Sequence, residues 1–223
     1  MQIKFIAQSG FIIKTEDSKI ITIDLWPDNP INPVDFDDIP KTDYVFCTHD
    51  HTDHGLPAAI KLAKRDDSIF ISNYDIMQEV HMNGVEKIAP GSIGGWYKVG
   101  DIEIQQVHAE HSSAIGLAIG FLIKVDNKII YHMGDTGYFS TLKDIGEMYD
   151  IDLLMVPIGS RYTMGPYEAS FAVRDLKPKV AIPIHYNTSD KIKQDPEDFV
   201  KAVKGIKSDT EVKVLKPGEE FIY

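Results

Sequence analysis

One short stretch in the first quarter of the chain carries a dense cluster of ionisable side chains. From His49 to His54 it holds three histidines and two aspartates within six residues, and only Thr48 separates it from the apolar run Tyr44–Cys47. Buried without partners, such a cluster would be unfavourable, because charged groups lose hydration and protonated histidines repel one another. Imidazole nitrogens and carboxylate oxygens are ligands of zinc and similar divalent ions. The spacing therefore favours a metal site over a solvated polar loop.

Three further candidate ligands, His111, Asp135 and His185, each follow an apolar segment that is predicted to be a β-strand. Strand ends are rigid and their tips are exposed, which suits side chains that must converge within about 2 Å of a metal ion. With the cluster, the candidate ligands are His49, His51, Asp53, His54, His111, Asp135 and His185. This set is too large for one tetrahedral zinc. It suits two ions that share one carboxylate, with a water between them.

Hairpin patterns fill much of the first half of the chain, and strands alternate with helices in the second half. The predicted strands are residues 11–15, 19–23, 43–47, 68–72, 93–99, 102–107, 115–125, 128–132, 151–158, 179–184, 211–215 and 220–222. The predicted helices are residues 56–65, 74–82, part of 137–149, 167–176 and 195–203. No repeat, low-complexity segment or interdomain linker interrupts this order. We therefore expect one α/β domain over residues 1–223, with its helices packed on β-sheets.

The net charge of −11 argues against a general nucleic-acid binder, which usually presents a basic face to phosphates. A small anionic substrate is compatible with it, because bound metal ions would make the site locally positive. Cys47 is the only cysteine, which excludes an intramolecular disulfide and fits a reducing compartment. The amino terminus lacks the pattern of a signal peptide, and no stretch approaches the roughly 18 apolar residues that span a bilayer. We expect a cytoplasmic protein without a membrane span that acts on a small molecule, and homo-oligomerisation is left open.

The order of the motifs resembles that of the metallo-β-lactamase superfamily. The resemblance rests on the His-x-His-x-Asp-His stretch from His49, a later isolated histidine, Gly134-Asp135-Thr136 and Pro183-Ile184-His185. The residues at 109–113, 131–136 and 157–165 narrow it to a branch of small metal-dependent hydrolases. That branch is similar to ascorbate-6-phosphate lactonase and to the phospholipase-D-like phosphodiesterases of the superfamily. The similarity covers nearly the whole chain.

The resemblance implies an α/β fold of four layers, in which two mixed β-sheets pack face to face and helices cover their outer faces. It also implies how the ligands divide between two ions. The first ion would be held by His49, His51 and His111, the second by Asp53, His54 and His185, with Asp135 as the bridge. Zinc is the expected metal, and manganese or nickel also fits nitrogen and oxygen ligands.

A hydroxide between two divalent ions suits hydrolysis, because the cations lower the pKa of a bound water from about 16 to about 7. The same ions polarise the carbonyl or phosphoryl oxygen of the substrate. Asp53 is the catalytic candidate, since one carboxylate oxygen can hold the second ion while the other orients the hydroxide and shuttles a proton. The favoured function is hydrolysis of an ester-like bond in a lactone or a phosphodiester. The alternative is a redox or binding module on the same metal fold.

Arg161 and Tyr162 are the candidate substrate contacts. They lie in the segment 159–165, which reads Gly-Ser-Arg-Tyr-Thr-Met-Gly here and commonly Gly-Asp-Asn-Phe-Thr-Met-Gly in relatives. Arg161 could bind a phosphate or carboxylate through two hydrogen bonds, and Tyr162 could donate to a developing oxyanion. The alternatives are a surface arginine and simple loop packing. The Pro-rich segment 26–40 is either a surface connector or a flap over the site.

Several residues near the motifs have less specific interpretations. His132 either supports a metal ligand from behind or is a buried histidine that is hydrogen bonded elsewhere. We assign His108 to the core or to the support of a ligand, and His81 to the surface. Asp50 and Thr52, although inside the cluster, are interpreted as spacers.

Overall fold

The computed structural model describes the whole chain, residues 1–223. Its strands are β1 (Gln2–Ala7), β2 (Gly10–Lys14), β3 (Ile20–Ile23), β4 (Tyr44–Phe46), β5 (Ile69–Asn73), β6 (Ile88–Gly91), β7 (Tyr97–Val99), β8 (Ile102–His108), β9 (Ile119–Val125), β10 (Lys128–His132), β11 (Leu153–Pro157), β12 (Val180–Ile184), β13 (Glu211–Val212) and β14 (Glu220–Ile222). Its helices are α1 (Leu56–Asp66), α2 (Tyr74–Met82), α3 (Leu142–Met148), α4 (Pro166–Leu176) and α5 (Pro196–Gly205). Short 3-10 turns occupy Phe36–Asp38, Thr52–His54 and Asp190–Ile192.

The strands form two seven-stranded sheets, in the orders β14-β1-β2-β3-β4-β5-β6 and β13-β12-β11-β10-β9-β8-β7. Each sheet is mixed. In the first, pairing is antiparallel from β14 to β3 and parallel from β3 to β6. In the second, pairing is parallel from β13 to β10 and antiparallel from β10 to β7. The parallel strands β11 and β12 are buried along their whole length, which explains their unbroken apolar sequences.

Hydrophobic clusters between the layers hold the architecture together. The largest has 23 buried residues and joins the two sheets, with Ile13 and Phe46 from the first and Phe121 and Ile182 from the second. Another cluster joins the outer face of the second sheet to α3, α4 and α5, and a third joins the first sheet to α1 and α2. The four-layer α/β arrangement that the resemblance implied is confirmed.

Helices α2 and α5 each begin after a residue whose side chain accepts a hydrogen bond from a free backbone N–H of the first turn. The Asn73 side chain accepts a hydrogen bond from the backbone N–H of Ile76, at 2.9 Å, and α2 has the predicted bounds. The Asp195 side chain accepts from the backbone N–H of Glu197, at 3.0 Å, ahead of α5. Pro196 occupies the first turn of α5 as predicted, where its missing N–H costs nothing.

Some strand predictions were wrong at their ends. The predicted strand 93–99 is formed only at Tyr97–Val99, and Ile93 makes a single isolated bridge to Gln106. The strand Ile88–Gly91 was missed because it contains Pro90 and ends in glycine. It is the last strand of its sheet, and an edge position tolerates proline because one side of the strand makes no ladder.

The segment 26–40 lies against α1. Arg65 donates hydrogen bonds to the backbone carbonyls of Phe36, at 3.2 Å, and Ile39, at 2.9 Å. Ile39 is buried in the cluster that joins the first sheet to its helices. None of the hydrogen bonds of the segment involves a candidate metal ligand. These contacts support the connector interpretation over the flap.

No helix combines the length and the apolar character that crossing a bilayer requires.

Candidate metal centre

The candidate ligands follow the ends of strands that meet at one edge of the molecule. His49 and His51 follow β4 of the first sheet. His111, Asp135 and His185 follow β8, β10 and β12 of the second sheet. These three strands run in the same direction, because β10 is parallel to β11 and β12, and β8 is antiparallel to the intervening β9. Their carboxyl ends therefore lie at a common edge, as the sequence predicted.

The 3-10 turn Thr52–His54 bends the motif back toward the sheets. Gly55 ends this turn with φ of 64°, in the left-handed region. A Cβ atom at this position would lie 1.9 Å from the carbonyl oxygen of Leu25. Glycine is required here because it adopts positive φ freely and because it has no Cβ atom to collide with Leu25. Within the turn, Thr52 is exposed and Asp53 is half-buried, whereas His54 is fully buried.

Three imidazoles form the first ligand group. His49 Nε2 lies 3.0 Å from His51 Nδ1, and that atom lies 3.2 Å from Nε2 of His111. Two nitrogens bound to one tetrahedral zinc are about 3.3 Å apart, given Zn–N bonds of about 2.0–2.1 Å. The spacing therefore matches a shared ion. We call these three residues the imidazole group.

Two carboxylates and two imidazoles form the second group, which we call the mixed group: Asp53, His54, Asp135 and His185. Asp135 Oδ1 lies 3.1 Å from Nε2 of His54, and Asp135 Oδ2 lies 3.0 Å from Nε2 of His185. Asp53 Oδ2 lies 3.3 Å from the same His185 nitrogen. Asp135 Oδ2 is also 3.6 Å from Nε2 of His111 in the imidazole group. One carboxylate thus lies between the two groups.

The hydrogen bonding of the mixed group fits a cation. His54 Nε2 and Asp135 Oδ1 are buried and lie 3.1 Å apart, but neither atom makes a hydrogen bond of acceptable geometry. Leaving such atoms unsatisfied costs about 1–3 kcal/mol each. A divalent ion that accepts lone pairs from both atoms would remove that cost, and the donor set is one that zinc prefers.

Electrostatics differ between the groups. Burial, and then the neighbouring His54, lower the pKa of His49 to about 3, so it is the neutral ligand form. Burial also opposes charge on His185, but the carboxylates of Asp135 and Asp53 outweigh it and raise the pKa of His185 to about 9. Correspondingly, burial is outweighed by His185 and His54, which hold the pKa of Asp135 well below its usual range.

Asp24 is a site residue that the sequence interpretation missed. Its Oδ2 lies 2.7 Å from His54 Nδ1, and both its oxygens accept hydrogen bonds from Thr48, at 2.7 and 2.8 Å. A carboxylate on the far nitrogen fixes the ring and directs the other nitrogen to the metal. Asp24 follows directly after the buried strand β3. The candidate ligands share this position after a strand, and that signal could have identified Asp24.

Thr48 and Cys47 support the imidazole group from the protein interior. Thr48 Oγ1 lies 3.0 Å from Nδ1 of His49, and the thiol of Cys47 donates to the carbonyl oxygen of His49, at 3.2 Å. Burial, followed by the charge of Asp24, raises the pKa of Cys47 well above its usual value. The thiol therefore stays protonated, as in a small buried side chain rather than a nucleophile.

His132 is fully buried, and its hydrogen bonds are to the backbone. Its Nε2 lies 2.8 Å from the carbonyl oxygen of Ser9, and its Nδ1 accepts from the N–H of Gly134, at 3.2 Å. The structure therefore places it as a buried histidine that holds the turn before Asp135, without contacting a ligand side chain.

Two interpretations of neighbouring residues were wrong. His108 is neither core nor ligand support: 49% of its side chain is exposed, and it pairs with Glu110, 3.1 Å away. Asp50 is not a spacer, because it accepts hydrogen bonds from the Ser113 hydroxyl and the Ala114 N–H, at 2.8 and 2.9 Å. It thereby ties the loop after His111 to the histidine motif. Its partners lie more than 60 residues away, so spacing alone gave no signal.

Arg161 and Tyr162 lie in a loop that borders the site. The N–H of Met164 donates to the carbonyl oxygen of Thr136, at 3.0 Å, and a Cβ at Gly159 would lie 2.2 Å from the carbonyl oxygen of His185. The Arg161 guanidinium lies 5.3 Å from the ring centre of Tyr162, and Tyr162 is 46% exposed. The loop backbone thus adjoins two ligand segments, while these two side chains contact one another. Their role toward a substrate stays a prediction.

Comparison with known proteins agrees with this geometry. A family described as the beta-lactamase superfamily domain matches residues 2–185. A protein of Pyrobaculum islandicum named UPF0173 metal-dependent hydrolase is 42% identical over 224 residues, 98% of each chain. Another of that name, from Staphylothermus marinus, is 42% identical over 99% of this chain and 98% of its own.

A solved structure with the same architecture is Igni18, described as a novel metallo hydrolase from the hyperthermophilic archaeon Ignicoccus hospitalis. It is 33% identical, both chains are covered completely, and the TM-score is 0.92. The match of the family over most of the chain, the full-length relatives and the strand-end ligands lead to one assignment. The chain belongs to the metallo-β-lactamase superfamily and is one of its metal-dependent hydrolases.

Proposed function

We propose that this hydrolase holds two divalent cations and cleaves an ester-like bond, in a lactone or a phosphodiester, of a small substrate that can be anionic. The observation that carries the proposal is the place of Asp135. Its Oδ2 lies 3.0 Å from His185 of the mixed group and 3.6 Å from His111 of the imidazole group. A single carboxylate between two complete ligand groups is what a bridged pair of ions requires.

The two groups would each hold one ion. The imidazole group would hold the first, and Asp53, His54 and His185 would hold the second, with Asp135 shared. Zinc fits this nitrogen and oxygen set, and manganese or nickel fits it as well. When bound, the pair of cations lowers the pKa of a water between them to about 7 and polarises the oxygen of the scissile group.

Asp53 is the proposed proton acceptor. Burial favours its neutral form, but the hydrogen bond with His185 and the charge of His54 outweigh burial and hold the pKa of Asp53 below its usual value. The carboxylate is therefore ionised. Its Oδ2 is engaged by the protein, whereas Oδ1 has no protein hydrogen-bond partner. With 30% of the side chain exposed, Oδ1 is the atom that could take a proton from the attacking water.

Arg161 and Tyr162 would contact the substrate. Their loop is attached to the backbone next to Asp135 and His185, so it borders the proposed reaction site. The exposed guanidinium could pair with a phosphate or carboxylate through two hydrogen bonds, and the phenol could donate to a developing oxyanion. We retain the cytoplasm as the expected compartment, because the single cysteine is free and buried.

The test is a metal analysis of the purified protein followed by hydrolysis assays on a panel of phosphodiesters, lactones and thioesters. We expect close to two transition-metal ions per chain and activity that is lost on chelation and restored by zinc or manganese. Full activity in a metal-free sample would contradict the proposal. A di-iron absorption without hydrolysis of any panel member would favour the redox alternative.

A further inference from the structure

The turn between β1 and β2 places a buried polar side chain beside the metal centre. Gln8 occupies the first position of this two-residue turn and is 2% exposed. Its φ is 56°, in the left-handed region that glycine adopts freely and other residues seldom do. For the turn itself, glycine would be the better residue. The glutamine side chain therefore calls for a reason other than the turn.

Gln8 makes three contacts, and two of them reach candidate metal ligands. Its side-chain Nε2 donates to Oδ2 of Asp53, at 2.7 Å. Its backbone carbonyl accepts from the N–H of His185, at 2.7 Å. Its side-chain Oε1 accepts from the hydroxyl of Thr188, in the loop after β12.

These partners fix the orientation of the amide. An ionised carboxylate only accepts hydrogen bonds, so the NH2 end of Gln8 must face Asp53. The Thr188 hydroxyl then donates to the oxygen end. Removing the hydroxyl would leave that end without a partner and free the amide to rotate, while the backbone contact with His185 would remain.

We propose that Gln8 is a positioning residue for Asp53, which holds Oδ2 of the carboxylate in place for the second ion and leaves Oδ1 free. Thr188 acts indirectly, because its hydroxyl orients the Gln8 amide. The inference rests on the proposed function, because the orientation of Asp53 matters to chemistry only if the mixed group holds an ion. Outer partners of metal ligands typically contribute about 10–100-fold to metal affinity or activity.

The decisive variant is Gln8→Gly, which keeps a residue suited to the turn and removes only the side chain. We expect the affinity for the second zinc ion, measured by competition with a chromophoric chelator, to fall about tenfold or more. The affinity for the first ion should stay within the error of the wild type. On a generic phosphodiester, kcat should fall more than KM rises. A merely structural role would lower the melting temperature and leave both ion affinities unchanged, and that result would overturn the proposal.

Thr188→Val tests the same link without touching the turn, and Ser189→Ala is its matched control. Ser189 lies in the same loop, is exposed and makes no side-chain hydrogen bond. Thr188→Val should lower the affinity for the second ion by a smaller factor than Gln8→Gly does. Ser189→Ala should leave that affinity unchanged. Equal effects of the two loop variants would contradict the link. A wild-type protein that binds fewer than two ions would contradict the proposed function itself. If the wild type binds two ions and both Gln8→Gly and Thr188→Val keep the wild-type affinity for the second ion, only this inference is contradicted.

Discussion

The two ligand groups differ in how the protein prepares them for a cation. The imidazole group contains no carboxylate, and two of its three residues, His51 and His111, are only partly buried. In the mixed group His54, Asp135 and His185 are buried, and oppositely charged partners face one another at about 3 Å. Without metal, protons on the imidazoles balance the carboxylates of the mixed group. An ion that binds there must displace protons, whereas one that binds to the imidazole group meets a neutral His49.

The two groups also differ in where the residues that hydrogen bond to their ligands come from. The mixed group is held by two residues from the first sheet, Asp24 behind His54 and Gln8 beside Asp53. The imidazole group is held mainly by its own strand end, through Thr48 and Cys47. The hydrogen bonds that support the mixed group thus come from distant segments, whereas those that support His49 come from its neighbours in the sequence.

Asp135→Ala should have the largest effect, because it removes the carboxylate that joins the groups. We expect loss of the second ion, weaker binding of the first and a fall in hydrolysis of about 1000-fold or more. His51→Ala should instead remove the first ion and leave the second. Metal analysis of both proteins checks the division, with His81→Ala, an exposed histidine on α2, as the control. Identical metal loss in both variants would break the two-group description.

Asp24→Asn should act on the mixed group alone. The amide keeps the size of the carboxylate but weakens its hold on Nδ1 of His54, so second-ion affinity should drop about 10–100-fold. First-ion affinity should change little. Chelator competition measures both values, and equal losses at both sites would show that Thr48, which touches His49 and His54, transmits the change.

The pH dependence of binding should also separate the groups. Because His185 has its pKa raised to about 9, it is protonated at neutral pH in the metal-free protein. Burial opposes charge on His54, but Asp135 and Asp24 outweigh it and raise the pKa of His54 well above its usual value. Second-ion affinity should therefore rise at least tenfold per pH unit between about 6.5 and 9, with release of at least one proton. First-ion affinity should be nearly flat in that range, because burial keeps His49 neutral. Calorimetry in buffers of different ionisation enthalpy counts the protons, and equal proton release for both ions would contradict the comparison.

The smallest expected effect is on the stability of the metal-free protein. The folded-state pKa of His185, about 9, lies above the usual value of 6.5. Its contribution to stability is therefore complete below pH 6.5 and is lost as the pH rises through 9. We expect the free energy of unfolding to fall by about 1 kcal/mol per pH unit in this window. Denaturant titration at several pH values tests this slope, and zinc should abolish it.

The candidate metal ligands could be selected from the sequence because each lies at a fixed place relative to a recognisable strand. The pattern of apolar runs gave the strand ends, and metal chemistry selected among the histidines and aspartates that follow them. The resemblance to the family motif favoured His111 over His108, and the structure places His111 beside the other candidate ligands and His108 at the surface. Strand boundaries near Gly94 and Pro90 were less predictable, because edge position and loop contacts decide them.

Gln8 could not be found in the same way, and for Asp24 the strand pattern indicates the position but not its partner. Asp24 is 30 residues from His54, and Gln8 is 45 residues from Asp53 and 180 from Thr188. Asp50, too, has partners in another loop. A hydrogen bond at 2.7 Å between such residues depends on how the sheets stack, and no local pattern encodes that distance.

By itself, the sequence determined the class of chemistry and supplied the set of candidate ligands. Residue type and strand periodicity are local properties, and a metal ion accepts only a few donor types. The resemblance implied how the candidate ligands divide, and the tertiary structure supplied the distances that group them, the place of Asp135 between the two groups and the outer residues that orient them. These are distances between segments that are remote in the chain, and they are set by the packing of the two sheets around their shared hydrophobic cluster.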